Sequence, residues 1–211
     1  MESSSPRQVA TRRKRLLHLF AVLVIAAGAT ILIVLGLAFY SAKFIDEASL
    51  QQETLQVTHR IDSTLIKMHN DVRSVAVRND AHEKTAAQNT VWVHDNVGKY
   101  FYDYMSYPIS VVFDRNGKPF YVSRNRIAVS VSHEAQFVAA VMPMVNAVRY
   151  ESITRNSMVS DHRAYGFTAH VAREGMVLVG GQPYFVAVSN IVPEDAAHRD
   201  MTFKDPIVAT G

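Results

Sequence analysis

The 211-residue chain contains no cysteine, one tryptophan, and only 9 glycine and 7 proline residues. Without cysteine it has no disulfide framework, no cysteine-based zinc or iron–sulfur site and no thiol nucleophile. The low glycine and proline content excludes collagen-like and low-complexity disordered classes. The length allows one compact domain with attachments and leaves little room for a two-domain enzyme.

Positive charge is concentrated at the N-terminus. The formal net charge is +3, and residues 1–15 hold five basic side chains against the single acidic Glu2. The rest of the chain is therefore slightly acidic, so the basic excess does not indicate a nucleic-acid-binding protein. A basic cluster next to an apolar run is instead typical of membrane topology.

Residues 16–40 contain no charged side chain. As an α-helix this segment would extend about 37 Å at ~1.5 Å per residue, enough to cross a hydrocarbon core of about 30 Å. The basic residues before it predict a cytoplasmic N-terminus and extracytoplasmic (periplasmic) residues 41–211 at the cytoplasmic (inner) membrane. The alternative, a cleaved signal peptide, has a shorter apolar core and small residues before the cut, where this chain has Tyr40.

Residues 41–77 contain neither glycine nor proline and predict a long helix that continues out of the membrane. Apolar side chains recur there at heptad spacing, at Ile61, Leu65, Met68, Val72 and Val75. Upstream, from Phe44 to Thr58, the same alternation has polar members. The apolar half packs either on its own domain or along a partner copy in a homodimer, and the spacing fits both.

Residues 78–211 predict an α+β domain built on an antiparallel sheet. An apolar and aromatic stripe at Val93, Val97, Tyr100, Phe101 and Tyr104 indicates a helix over Thr90–Met105. A second helix follows Ser132, its expected N-cap, and contains Pro143, which we expect to bend it. The expected strands are Ile109–Phe113, Phe120–Ser123, Tyr165–Ala172 (with Phe167 and Val171 in the core), Met176–Val179 and Tyr184–Ile191.

No catalytic motif is complete. His82-Glu83 and His133-Glu134 each begin like a zinc-protease motif, but Ala86 and Phe137 stand where the second histidine is required. Gly180-Gly181 lacks the lysine of a phosphate-binding loop and indicates a turn. We therefore predict no catalytic residue, no metal site and no cofactor, and a chain that is not itself an enzyme.

Several segments resemble the fourth class of CHASE-type extracytoplasmic sensor domains over about residues 45–195. The segments that carry the resemblance are Asn79–His82, Val91–Tyr100, Ile109–Lys118, Val177–Val188 and Ile191–Pro193. The resemblance implies a PAS- or Cache-like fold. It also implies cytoplasmic output modules, which in this family are commonly cyclases and phosphodiesterases of cyclic di-GMP with GGDEF and EAL motifs.

Such output motifs and a second apolar span are missing before Gly211, so we expect a fragment of a longer receptor or a truncated relative. We therefore divide the chain into a cytoplasmic tail (1–15), a membrane helix (16–40) and a stalk helix (41–77), followed by residues 78–211, which the resemblance identifies as the sensor domain. Its expected partners are the lipid bilayer, a small-molecule ligand and a second copy of the chain. The alternative is a membrane-tethered domain that binds another protein and transmits no signal.

We expect the ligand site between the Thr90–Met105 helix and the Ile109–Ser123 hairpin. An aromatic wall with a few convergent polar groups is the usual composition of a small-molecule site. The candidate ligand-binding residues are Asp80, Trp92, Asn96, Tyr100, Tyr121 and Arg124. For the tyrosines the alternative is ordinary core and rim packing.

Overall fold

The computed structural model describes residues 6–158, 165–198 and 204–211. The side chains of the basic tail and of residues 42–51 in the predicted stalk lie outside the described part. The chain divides into two compact units, Met1–His59 and Arg60–Gly211. Helix α1, Pro6–Ala76, contributes residues to both units.

The first unit contains the predicted membrane segment. Among the described residues, one helical stretch, Leu23–Ser41, is long and apolar enough to cross a bilayer, and none of it is buried within the protein. Its hydroxyl at Thr30 donates to the Ala26 carbonyl oxygen at 2.9 Å, so this polar group is satisfied within the helix. This helix near the N-terminus fits a membrane-anchored protein.

The second unit begins with the end of α1 and continues with a mixed helical and strand domain. Its helices are α2 (Asn79–Ala86), α3 (Thr90–Val93), a π-helical turn (His94–Gly98), α4 (Lys99–Met105), a 3₁₀ turn (Val131–Glu134), α5 (Ala135–Met158), α6 (Tyr165–Ala169) and a second 3₁₀ turn (Ala196–His198). Its strands are β1 (Ile109–Phe113), β2 (Pro119–Arg124), β3 (Ile127–Val129), β4 (Ala172–Val179), β5 (Gln182–Asn190) and β6 (Ile207–Thr210).

The six strands form one sheet in the order β3-β2-β1-β6-β5-β4. All neighbouring strands are antiparallel, and β6 lies between β1 and β5. Val111 is opposite both Val122 on β2 and Ala209 on β6. The predicted α+β class with an antiparallel sheet is therefore confirmed, and the PAS- or Cache-like comparison stays a prediction.

Helix α5 covers one face of the sheet, which we call the α5 face. Side chains alternate between faces along a strand, and the buried side chains on this face are apolar. The buried cluster consists of Ile109, Val111, Phe113, Val122, Phe137, Val141, Val145, Val148, Val171, Val186, Val188, Ile207 and Ala209. Phe137, Val141, Val145 and Val148 of α5 thus pack with the strands as one hydrocarbon core.

The end of α1 and helices α2–α4 cover the opposite face, the α1 face. Met68, Val72 and Val75 of the heptad pattern are buried there against the domain's own sheet, while Ile61 and Leu65 are half-buried. The second half of the pattern thus packs on its own domain. Val93, Val97 and Phe101 of the predicted stripe join the same core, but Tyr104 is 74% exposed.

Three predicted elements are wrong in type or boundary. The strand expected at Met176–Val179 already begins at Ala172. Tyr165–Ala169 is a helix, because Tyr165 and Ala169, four positions apart, both pack on Val192, and Phe167 between them is 65% exposed. Val171, the other expected core residue, is buried. Ser132 lies inside the 3₁₀ turn with its Oγ 3.0 Å from Ser130 Oγ, so it is not the N-cap of α5, which begins at Ala135.

Candidate functional site

Asp80 and Trp92 are brought together by Arg78, which the sequence analysis did not select. The Arg78 guanidinium forms a two-point ion pair with Asp80, with Nε–Oδ1 at 3.0 Å and Nη2–Oδ2 at 2.5 Å. Its Cζ lies 5.9 Å from the centre of the Trp92 ring. Asp80 Oδ1 also accepts from the Ala81 amide at 2.8 Å, at the first turn of α2.

Asn96 and Tyr100 are engaged locally. Asn96 Nδ2 donates to the Trp92 carbonyl at 3.0 Å, and the Trp92 amide donates to Asn89 Oδ1 at 3.0 Å. The Tyr100 ring is 5.0 Å from the Tyr104 ring, centre to centre. These contacts order the rim of the α1 face around Trp92.

Tyr121 is buried beneath the π-helical turn. Its Oη is 2.9 Å from His94 Nδ1, and burial raises the pKa of its phenol. A Cβ added to Gly98 would lie 2.1 Å from the same Oη. The π-helical turn and Tyr121 therefore approach each other so closely that only glycine fits at position 98.

Arg124 points away from Tyr121. The two residues are three positions apart on β2, so their side chains lie on opposite faces of the sheet. Arg124 forms a two-point ion pair with the buried Glu134 and lowers the pKa of that carboxyl. The structure therefore separates Arg124 from the other predicted ligand residues, whose ligand contact stays a prediction.

A cavity of about 690 Å³ opens beside the end of α1, and we call it the α1 cavity. Its lining residues are Asn70, Arg73, Ser74, Val77, Phe167, Glu194 and Asp195. The Arg73 guanidinium lies over the exposed Phe167 ring, with Cζ 4.8 Å from the ring centre. This cation–π contact holds α6 against the last turns of α1.

The α1 cavity has charges of both signs. Arg73 is the cation, and the carboxylates of Glu194 and Asp195 are the anions. Asp195 accepts from Asn79 Nδ2 at 3.2 Å and lies 2.9 Å from His198 Nδ1. These bonds, first the one with His198, hold the pKa of Asp195 below its usual range. The cavity offers an aromatic ring, a guanidinium and carboxylates to a small polar ligand.

Two smaller cavities have other walls. One of about 380 Å³, the α2 cavity, is lined by Asn79, His82, Glu83, Ala86, Ala87, Arg115 and His198. One of about 450 Å³ lies between α5 and β4 and is lined by Met144, Glu151, Ala172, Arg173, Glu174, Gly175 and Met176. None of the three linings contains a residue of the predicted ligand site.

A buried polar network joins α5, β5 and the chain before β6. Asn190 Nδ2 donates to Ser152 Oγ at 2.8 Å and to Asp205 Oδ2 at 3.1 Å, and Ser152 Oγ donates to Asp205 Oδ2 at 2.9 Å. Asn190 Oδ1 accepts from the Val171 amide at 2.7 Å. The network thus links three elements of the domain. His82, which lines the α2 cavity, lies beside it, with its Nε2 3.6 Å from Asp205 Oδ1.

His170 and Ser189 form a buried pair that has the residue types of a nucleophile and its base. Ser189 Oγ is 2.8 Å from His170 Nε2, but it also lies 2.9 Å from the Asn190 carbonyl and is fully buried. Burial, with smaller contributions from Arg73, His69 and Arg155, lowers the pKa of His170 to about 4. The pair is structural, because no substrate reaches the hydroxyl.

The described residues place no group of three or more histidine, aspartate or glutamate side chains where a metal ion would be held. Sequence patterns did not indicate the lining of the α1 cavity. Arg73 was off the apolar heptad positions, Phe167 was assigned to the core, and Glu194 lies 121 positions after Arg73. No short-range pattern connects them.

A model of the CHASE4 domain family matches residues 60–201 of this chain. The match covers more than half of the chain and nearly all of the second compact unit. No curated protein matches the chain.

Proposed function

This chain belongs to the CHASE4 domain family, a family of sensory domains, and from that premise we propose that it is the membrane-anchored, extracytoplasmic ligand-binding part of a signalling receptor. The proposal places the N-terminus in the cytoplasm and residues 41–211 outside the cytoplasmic membrane. It makes the chain an input module for cyclic di-GMP cyclase or phosphodiesterase domains, and it includes pairing with a second copy.

The α1 cavity is the observation that supports this role best. Four of its lining residues, Asn70, Arg73, Ser74 and Val77, come from the end of α1 or directly after it. A ligand there touches the helix that also contains the candidate membrane span. A signal requires two arrangements of comparable free energy that the ligand binds with different affinity. We propose that these are two positions of α1.

Homodimer formation follows the exposed part of the heptad pattern. Leu55 of that pattern is an exposed apolar side chain, whereas Met68, Val72 and Val75 are already buried in the domain. We therefore propose that two copies pair along α1 upstream of Ile61, where the pattern is not used by the domain. With this pairing, a ligand-dependent shift of α1 in one copy would change its contact with α1 of the other copy.

Ligand binding is tested with tryptophan fluorescence, because Trp92 is the single tryptophan of the chain. In the full chain in non-ionic micelles, the Trp92→Phe/Phe167→Trp variant places the fluorophore in the α1 cavity. A panel of amino acids, diamines and short carboxylates is titrated into this variant, into the wild type and into the Trp92→Phe/Tyr150→Trp control.

We expect a saturable change at position 167 for at least one compound and none at position 150, on the exposed surface of α5. A change in the wild type alone would place the ligand at the predicted aromatic site instead. If folded protein responds to no compound at any of the three positions, the sensor proposal loses its ligand site.

Topology and pairing are tested in membranes. Alkaline phosphatase fused after Gly211 is expected to be active, since that enzyme folds only in an oxidising compartment; activity of a β-galactosidase fusion instead would contradict the orientation. Because the chain has no cysteine, Leu55→Cys gives a single thiol. We expect it to form a disulfide-linked dimer, with Tyr150→Cys as the monomeric control; equal cross-linking of both would contradict pairing along α1.

A further inference from the structure

The α2 cavity has walls from three parts of the chain that are distant in sequence. Asn79, His82 and Glu83 come from α2, Arg115 from the β1–β2 turn, and His198 from the second 3₁₀ turn. At about 380 Å³ the cavity lies in the lower range of small-molecule sites. It shares no lining residue with the α1 cavity.

His82 lines this cavity with a ring that is buried and incompletely bonded. Only 4% of its side chain is exposed, and its Nε2 has no hydrogen-bond partner. Asp205 Oδ1 is 3.6 Å from this nitrogen, beyond hydrogen-bond distance. Asp205 cannot turn freely towards it, because its Oδ2 already accepts from Ser152 and Asn190. A buried ring nitrogen without a partner beside a cavity points to a ligand.

The other polar groups on the walls are mainly donors. Arg115 contributes a permanent cation, and its position is set by the turn, where Asp114 Oδ1 accepts from the Asn116 and Lys118 amides at 2.8 Å each. Asn79 and His198 are held in place by Asp195, at 3.2 and 2.9 Å. The one carboxylate of the lining, Glu83, is exposed and lies 2.9 Å from Lys84 Nζ.

We propose that the α2 cavity binds a small oxyanion, a carboxylate or a phosphate, between Arg115 and His82. A guanidinium matches the geometry of carboxylate and phosphate oxygens, and an imidazole supplies a further N–H donor. The site adds to the proposed sensing by the α1 cavity and does not depend on it. Asp195 is the connection between them, since it lines the α1 cavity and bonds to two residues of the α2 cavity.

Calorimetric titration of the full chain in non-ionic micelles with sodium succinate and, separately, with inorganic phosphate tests the site. Arg115→Gln removes the cation and His82→Gln the imidazole, while Arg115→Lys keeps the charge. Ala87→Trp places a large ring in the cavity from an exposed position at the end of α2. Arg173→Gln and His133→Gln are the matched controls, because both side chains are exposed and lie outside this cavity.

We expect one of the two anions to bind saturably, with a dissociation constant raised at least about tenfold by Arg115→Gln and His82→Gln. Arg115→Lys should lose less affinity than Arg115→Gln, and Ala87→Trp should abolish binding. The dissociation constants of both controls should stay within about twofold of the wild-type value. Which anion binds separates the carboxylate from the phosphate source. If His82→Gln does not fold, Arg115→Gln and Ala87→Trp decide the result. Absence of saturable binding of both anions, or equal weakening by the controls, overturns the proposal.

Discussion

The two faces of the sheet are packed in different ways. The α5 face buries aliphatic and aromatic side chains in one continuous cluster. The α1 face buries a row of hydroxyl groups among its apolar residues, at Ser123, Ser110 and Thr210 on three neighbouring strands, and a further hydroxyl at Ser189 on β5. Within the row, Ser110 Oγ and Thr210 Oγ1 are 3.1 Å apart, and Thr210 Oγ1 also donates to the Ile109 carbonyl at 2.8 Å.

From this difference we infer that the packing of the α5 face mainly stabilises the fold, whereas the packing of the α1 face can rearrange. Hydrocarbon packing resists displacement, because any gap loses contacts that nothing replaces. Hydroxyl groups can exchange one hydrogen-bond partner for another at little net cost in free energy. The α1 face also contains the end of α1, whose last turns line the α1 cavity. Stability and responsiveness are thus expected to divide between the two faces.

The largest effect is expected on the α5 face. Phe137 is fully buried there, so Phe137→Ala should lower the free energy of unfolding by about 4 kcal/mol through lost burial and the cavity left behind. The matched variant Phe167→Ala, at the exposed ring of the α1 cavity, should cost less than about 1 kcal/mol. Denaturant unfolding followed by Trp92 fluorescence measures both, and similar losses would show that Phe167 supports the fold as much as a buried core residue does.

The next effect is a pH dependence from the α1 face, where His170 meets Ser189. Its pKa in the folded chain is about 4, against an ordinary 6.5. The unfolded chain therefore takes up this proton at a higher pH than the folded chain. The contribution of His170 is complete above pH 6.5 and is lost as the pH falls towards 4, by about 3 kcal/mol in all.

Unfolding free energies at pH 7.5, 6, 5 and 4.5 check this for the wild type and for His170→Gln. The variant should have a shallower slope over this range than the wild type. His133→Gln, which changes an exposed imidazole, should keep the slope of the wild type. A His170→Gln slope equal to that of the wild type would show that another group carries the acid sensitivity.

A smaller effect is expected where the π-helical turn meets Tyr121. Gly98→Ala should lower the free energy of unfolding by about 2 kcal/mol, because the new Cβ would lie 2.1 Å from Tyr121 Oη. In a Tyr121→Phe background that oxygen is gone, and the closest remaining contacts, with the Cζ of residue 121 and with Ser123 Oγ, are at 3.0 Å, so the same substitution should cost clearly less. Gly175→Ala on β4 is the control, since its Cβ would meet only Met144 Cε, at 3.9 Å. Additive losses in the double variant would contradict this close approach.

The sequence predicted those parts of the fold that depend on neighbouring residues. The β1–β2 hairpin follows from Asn116-Gly117, and the buried positions Val93, Val97 and Phe101 follow from helical spacing. Strand β6 was missed because its four residues are held by pairing with β1 and β5, more than fifteen positions away in the chain. The α1 cavity was missed for the same reason, since Arg73, Phe167 and Glu194 meet only in the folded domain.

The smallest effect is expected at the rim of the α1 face, where Arg78 links Asp80 to Trp92. Both side chains of the ion pair are more than a third exposed, so Arg78→Gln and Asp80→Asn should each change the free energy of unfolding by less than about 1 kcal/mol. Arg78→Gln should nevertheless change the Trp92 emission, because it removes the cation 5.9 Å from the ring, whereas Arg126→Gln, at an exposed pair with Asp103, should not. If a ligand binds at the predicted aromatic site, Arg78→Gln should lower the affinity for that ligand by more than it lowers the stability of the fold. Loss of stability as large as that of Phe137→Ala would instead show that the rim, like the α5 face, holds the fold together.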